Sequence, residues 1–258
     1  MITFSYHQKG LSLIELLIAM LLGLILMAGA LQMMLSSQEI YKTTDTLSRI
    51  QENGRFALNF LAKDIRMAGY ETSIEANGDV FMGGGCAACS TNGTGNASDQ
   101  ISILMDPSNN LDCQGTSVSA EKVIVNVYSI ADLDNNQVSS LYCRGYNYSA
   151  SAWMGSSAQP LVDGVENMQI LYGISDPDAE NAIIKYVSAG NITDWGAIGA
   201  VRVSLLLNNG QSVGNSNNEA RTFNLLDADQ ITITDKHSRQ VFSTTVAINN
   251  VIYQSSNL

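Results

Sequence analysis

Gly10-Leu-Ser-Leu-Ile-Glu15-Leu-Leu-Ile-Ala-Met20-Leu-Leu-Gly-Leu-Ile25-Leu-Met-Ala-Gly-Ala-Leu31 is the stretch on which the reading of this chain turns. A short polar leader with one cation, Lys9, precedes it. No charge occurs from Leu16 to Leu31. Counted from Leu11 to Leu35, the run is interrupted only by Ser12, Glu15 and Gln32. A helix of ~20 apolar residues, rising about 1.5 Å per residue, crosses a bilayer, so this one is long enough. A single carboxylate inside such a segment is costly and points to a purpose. Lys9 lies on the N-terminal side and the next cation is Lys42. That asymmetry favours a cytoplasmic N-terminus and an exported body.

The chain has 258 residues and a formal net charge of -11. Its length holds one domain with a sizeable core besides the helix. An acidic body disfavours a nucleic-acid backbone as partner, because that contact needs clustered Lys and Arg. It also disfavours broad adhesion to anionic lipid.

Beyond Leu35 the sequence turns polar but stays periodic. Leu47, Ile50, Gly54, Ala57, Leu58, Leu61, Ile65 and Ala68 recur at three- and four-residue steps, which places them on one helix stripe. The other faces carry Lys42, Asp45, Arg49, Glu52, Arg55, Lys63, Asp64 and Arg66. A stripe of this kind needs a partner surface, and a sheet is expected. Gly69 is placed to end the helix. Gly54, Gly23 and Gly29 are read as points of close helix packing.

The glycine-rich stretch from Glu71 to about Gln100 reads as a loop. Strand signals follow at Gln100–Leu104, Lys122–Ser129, Ser140–Arg144, Val165–Ile174, Ala182–Val187, Ala200–Leu207, Thr222–Leu225, Gln230–Thr234 and Val241–Ile248. Imperfect alternation near Val165 predicts a bulge. In Ala200–Leu207, Val201, Val203 and Leu205 face one way, and Arg202 and Ser204 the other. A helix followed by antiparallel strands makes the fold class α+β.

Cys86, Cys89, Cys113 and Cys143 all fall in the exported part, where an even count reads as disulfides. Zinc is the competing reading of Cys86-Ala-Ala-Cys89, but neither His lies near the cysteines in sequence. Spacing does not choose among the pairings. Cys113 with Cys143 flanking a hairpin, and Cys86 with Cys89 in the Gly-rich loop, is the expected set. Asp132-Leu-Asp134-Asn-Asn136 has the start of a calcium loop. It carries Gln137 where the turn Gly belongs and Cys143 where the closing Glu belongs. His237 sits in a polar turn, Asp235-Lys-His-Ser-Arg239, read as an exposed loop. Trp153 and Trp195 are read as core. No catalytic constellation stands out, so the chain is read as a non-enzyme, with no cofactor and no metal.

Gly10 followed by Leu-Ser-Leu-Ile-Glu-Leu resembles the type III signal of type IV prepilins and pseudopilins. The resemblance implies cleavage after Gly10, N-methylation of Leu11, and subunit assembly through Glu15 paired with a neighbour's terminal amine. The segment from Arg49 to Tyr70, together with Pro160–Gln169, Ala200–Leu206 and Val241–Asn250, is similar to the PilW family of minor pilins. Leu11 stands where the family more often has Phe, and Asn249 where it more often has Arg.

The family implies a type IV pilin-like fold, in which a long N-terminal helix packs on a C-terminal antiparallel sheet domain. The expected parts are a prepilin leader (1–10), a transmembrane and filament-core helix (11–35), the amphipathic half of that helix (36–69) and a disulfide-containing β-rich domain (70–258). The implied partners are a prepilin peptidase, other minor pilins and the major pilin. The implied location is the bacterial inner membrane and then the pilus. The implied role is priming of pilus assembly and a place at the tip, supporting twitching motility or adhesion. A J-like pseudopilin of type II secretion, and a tip adhesin or DNA-uptake module, are the alternatives. Gly10→Val should leave an uncut precursor, checked by the size of the band on an immunoblot; a mature-sized band would remove the prepilin reading.

Overall fold

Every apolar element after the membrane-length run has to bury one face, and in this chain one helix stripe serves as the floor for two sheets. The computed structural model describes residues 10, 12–70, 79–106, 109–117, 123–133, 138–176, 179, 182–208, 210–211 and 219–250. Helix α1 spans Leu13–Met67. The chain divides into two units, Met1–Asp45 and Thr46–Leu258.

In the second unit, α1 buries Thr46, Ile50, Gly54, Ala57, Leu61, Ala62 and Ile65. Leu58 is half-buried against the same core. Leu47, expected on the stripe, is 40% exposed. Periodicity marks a face but not how far the partner surface extends beneath it. Gly54 meets the Phe242 ring: a Cβ built there would lie 2.6 Å from it. Close packing therefore offsets the ~1 kcal/mol that Gly costs a helix relative to Ala. Gly69 has φ +76°, a left-handed conformation that ends the helix, and its N–H donates to the Leu104 carbonyl at 2.9 Å. Asn250 donates to the last-turn carbonyls of Arg66 and Ala68, at 3.3 and 3.4 Å.

Strands β1 (Ile101–Met105), β2 (Ile124–Ala131), β3 (Ser140–Asn147), β4 (Ala152–Trp153) and β5 (Gln159–Asp163) form one antiparallel sheet. β4 and β5 both pair with β3. A second sheet joins β6 (Val165–Asp176), β7 (Ala182–Val187), β8 (Ile198–Leu207) and β11 (Gln240–Ala247) in the order β11-β8-β6-β7. β9 (Glu219–Phe223) and β10 (Ile231–Asp235) make a separate hairpin. The strands expected from sequence are all present, with ends displaced by a few residues, and the bulge falls between Val165 and Asn167. β4 and β5 escaped the sequence reading. β4 is only a dipeptide, and β5 contains Pro160, which an edge strand tolerates because no ladder hydrogen bond is lost.

The helix stripe, Ile101, Ile103 and Tyr128 of the first sheet, and Met168, Ile170, Tyr172, Val201, Val203 and Leu205 of the second share one core. Ser204 and Leu206 point away from it yet are 1% exposed. The β9–β10 hairpin packs Leu225 and Ile231 on Leu206. The expected alternation of β8 holds, and the strand is covered on both faces.

Asp64 departs from the solvated role expected of it. Its Oδ2 accepts from Tyr128 Oη at 2.5 Å and Asn126 Nδ2 at 2.7 Å, tying the helix to β2. Burial and the Asp64 charge push the Tyr128 phenol well above its ordinary value, so it remains the donor.

Asp99 joins a loop to β6. Its carboxylate accepts from Gly93 N–H at 2.7 Å and Ile170 N–H at 2.6 Å. Burial pushes this carboxyl up to about 6, against the downward pull of the two amides and with a smaller push from Asp227. Asp235 is the reverse case: hydrogen bonds from Arg239 hold its carboxyl well below the usual range.

A raised carboxyl favours the folded state below its unfolded value, and that contribution fades as pH rises through about 6. A depressed one contributes above the unfolded value and is lost as pH falls through the folded value. Thermal unfolding of the full chain in detergent should therefore be best resisted between about pH 4 and 5. Asp99→Asn should remove about 2–3 kcal/mol of the loss between pH 4 and 7; an unchanged pH profile in that variant would refute the assignment.

Candidate functional site

The candidate assembly segment lies in the first unit. Gly10 is exposed, and Leu11 lies outside the described residues. Helix α1 opens at Leu13, the Leu16 N–H bonds to the Ser12 carbonyl at 3.2 Å, and Glu15 sits in the first turn. Ser12 and Glu15 thus stand three apart at the helix start, the spacing at which each side chain can reach the other's backbone amide.

The large apolar side chains of this unit that are described all face outward, from 49% exposure at Leu16 to 78% at Leu13. The helix has a window of mean hydropathy 2.5, none of it buried, and by length and composition it is able to cross a membrane. Exposed apolar surface on this scale calls for lipid or protein cover. A carboxylate at one end of it is stabilised by a partner cation or by water, since hydrocarbon solvates neither. No Cβ at Gly23 or Gly29 would meet any atom within 4 Å, so close packing there needs another chain.

In the second unit the cysteines are brought together in two pairs. Cys86 is joined to Cys89, with 5.1 Å between Cα atoms, and Cys113 to Cys143, with 6.4 Å. The first closes a turn in the loop that caps the edge of β1, where Met82 N–H bonds to the Ser102 carbonyl and Phe81 bridges Ile103. The second ties the loop after β1 to the middle of β3.

Among the described residues no group of three His, Cys, Asp or Glu side chains is arranged to hold a metal. Asp132 is described, but residues 134–137 of the calcium-like stretch lie outside the described residues.

The turn read as an exposed polar loop is instead a clamp. The Arg239 side chain is only 5% exposed and donates to Glu166 at 2.5 and 2.9 Å and to Asp235 at 2.7 and 2.8 Å. His237 Nδ1 lies 3.3 Å from Asp235, and Asn208 also donates to Glu166. The i,i+4 spacing of Asp235 and Arg239 was the available signal. Glu166 could not be paired with them from sequence, because it lies 73 residues from Arg239.

Trp195 meets Tyr172 edge-on at 5.4 Å and joins the core. Trp153 does not. It is 36% exposed and lies against Tyr146 and the Arg144 guanidinium.

The family model described as Type IV Pilus-assembly protein W matches residues 127–250, from within β2 to the Asn that caps α1. Over that range, just under half of the chain, the sequence matches the PilW family. The prokaryotic N-terminal methylation motif matches residues 5–31, which include Gly10, Leu11 and Glu15. The helix segment from Arg49 to Tyr70 falls between the two matched ranges. Among solved structures, a type IV-like pilin from Thermus thermophilus is similar at 11% identity and a TM-score of 0.45, over 79% of this chain and 99% of that one. No curated protein gives a significant match.

The two disulfides should differ in weight. By the loop-entropy relation, the Cys113–Cys143 bridge, with a separation of 30, contributes about 3–4 kcal/mol, and the Cys86–Cys89 bridge, with a separation of 3, about 2. Replacing both cysteines of the long loop with Ala should lower the unfolding midpoint in denaturant more than replacing both of the short one. Equal losses would mean that chain entropy is not what these bridges supply.

Proposed function

We propose that this PilW-family minor pilin is cut after Gly10, N-methylated at Leu11 and incorporated in a minor-pilin complex that primes pilus assembly at the filament tip. The observation that carries the reading is the placement of Glu15 in the first turn of a helix whose large apolar side chains find no cover within the first unit. Before assembly, the run from Leu11 to Leu35 anchors the chain in the inner membrane, N-terminus inside and body outside. The body from residue 70 onward, stapled by its disulfides, remains in the oxidising compartment.

On extraction, lipid cover is exchanged for neighbouring helices. The Glu15 carboxylate meets the amine of an adjacent subunit, which offsets desolvation of both and sets axial register. The acidic body does not favour DNA as a direct ligand. Twitching motility and adhesion follow from the pilus as a whole rather than from a reaction at this chain.

A clean deletion, scored for surface pili and for type II-secreted enzymes side by side, tests the reading. Pili should be lost and secretion kept. Complementation with Glu15→Leu should give a processed chain of mature size that is not incorporated. Normal pili with lost secretion would make the chain a pseudopilin, and normal assembly with Glu15→Leu would remove the ion-pair role.

A further inference from the structure

We propose that a cavity beside the C-terminal turns of α1 receives a lysine or arginine side chain of a neighbouring pilin, an inference that rests on the function proposed above. The cavity holds about 460 Å³ and lies wholly in the second unit, between α1, β2 and the loop after β1. That is side-chain size or larger, within the range of formed binding sites.

Its lining divides by chemistry. Phe60, Met67, Met105 and Leu111 supply apolar wall. Asp64, Asp112, Asn126 and Tyr128 supply polar groups. Asp112 is 6% exposed. Its Oδ1 accepts from the Gln114 and Thr116 amides at 2.9 and 2.7 Å. Its Oδ2 is buried with no hydrogen-bond partner. Gly145 makes room for that oxygen, since a Cβ there would lie 2.0 Å from it. A buried carboxylate with an unpaired oxygen is costly, and a positive charge brought into the adjoining cavity lowers that cost through space, without touching Oδ2.

Asp64 adds a second acidic group, with Oδ2 already held by Tyr128 and Asn126. Against these two carboxylates the lining sets one cation, Lys63, on the exposed rim. An anion is repelled here, whereas an ammonium or guanidinium is attracted. The apolar walls suit the aliphatic stem of a long cationic side chain, which buries its methylenes while its head finds charge. Phe56, 50% exposed and edge-on to Phe60 at 5.0 Å, extends the apolar rim along the same helix face. Met67 and Leu111 are 38% and 37% exposed at the mouth. A single charged head entering a patch with this rim fits a protein surface better than a free amine, because the rim buries only if something flat covers it.

The test uses the full chain in the producing bacterium, with p-benzoylphenylalanine in place of Leu111 and, separately, in place of Leu22. Irradiation at Leu111 should give an adduct with another pilin, located by mass spectrometry within a few residues of a Lys or Arg. Asp64→Asn should cut that yield at least about tenfold, as loss of one partner of a desolvated ion pair does. Lys63→Glu, an exposed change that spares the fold, should raise it roughly two- to fivefold.

An adduct within the same chain, or a yield indifferent to both substitutions, overturns the proposal. A pilin adduct at Leu22 with none at Leu111 overturns the cavity assignment alone. Silence at both positions overturns the pilin function with it.

Discussion

The structure depends on burial of one helix stripe. Ile50, Ala57, Leu61 and Ile65 are each inaccessible to solvent, and residues of both larger sheets pack with them in a single core. Each of the Ile and Leu side chains among them contributes about 1.5–3 kcal/mol through the water it sheds, and Ala57 less. Neither sheet could bury its inner face on the other strands alone, because each presents that face to the helix. The helix is in turn held at the correct depth by a missing side chain, since Gly54 lets the Phe242 ring of β11 lie directly on its backbone. A pattern of apolar residues attracts the surfaces; the small residue sets the distance.

Polar contacts then choose one arrangement among those that burial would permit. Asp64 fixes α1 to β2 through Tyr128 and Asn126. Asp99 fixes a loop to β6 through two backbone amides. Arg239 closes the turn after β10 on the start of β6 through Glu166 and Asp235. Each contact places a charge where water is scarce, so each is strong only while its partners are complete. These charges are also where the fold is sensitive to pH, and Asp99 and Asp235 respond in opposite directions.

The first unit obeys a different rule. Its described large apolar side chains are exposed, and apolar surface on this scale calls for lipid or protein cover. A segment that is apolar on every face is equally suited to lipid and to a bundle of like helices, which is what passage from a bilayer into a filament requires. In the proposed assembly Glu15 makes the two environments unequal, because hydrocarbon offers a carboxylate no partner and a bundle can offer an amine.

By itself the sequence determined the elements with strong local signals. The apolar run, the helix stripe and the turn-bounded strands follow from side-chain periodicity, and the N-terminal motif singles out Gly10, Leu11 and Glu15. Its errors have a common source. Leu47 was assigned to the core, Trp153 was read as buried, Arg239 as exposed and Asp64 as solvated. In each case the outcome depends on residues distant in sequence: the extent of the sheet, the position of Tyr146, the approach of Glu166, the reach of Tyr128. Strand β5 was missed because Pro160 is forbidden only where a second strand would pair, and sequence does not say which strands are edges. The cavity lined by Asp64 and Asp112 is the clearest instance. Its residues come from a helix, a strand and a loop, and only tertiary packing decided that they share a wall. Local periodicity is encoded residue by residue. Burial and charge pairing are properties of surfaces, and those exist only once the chain has folded.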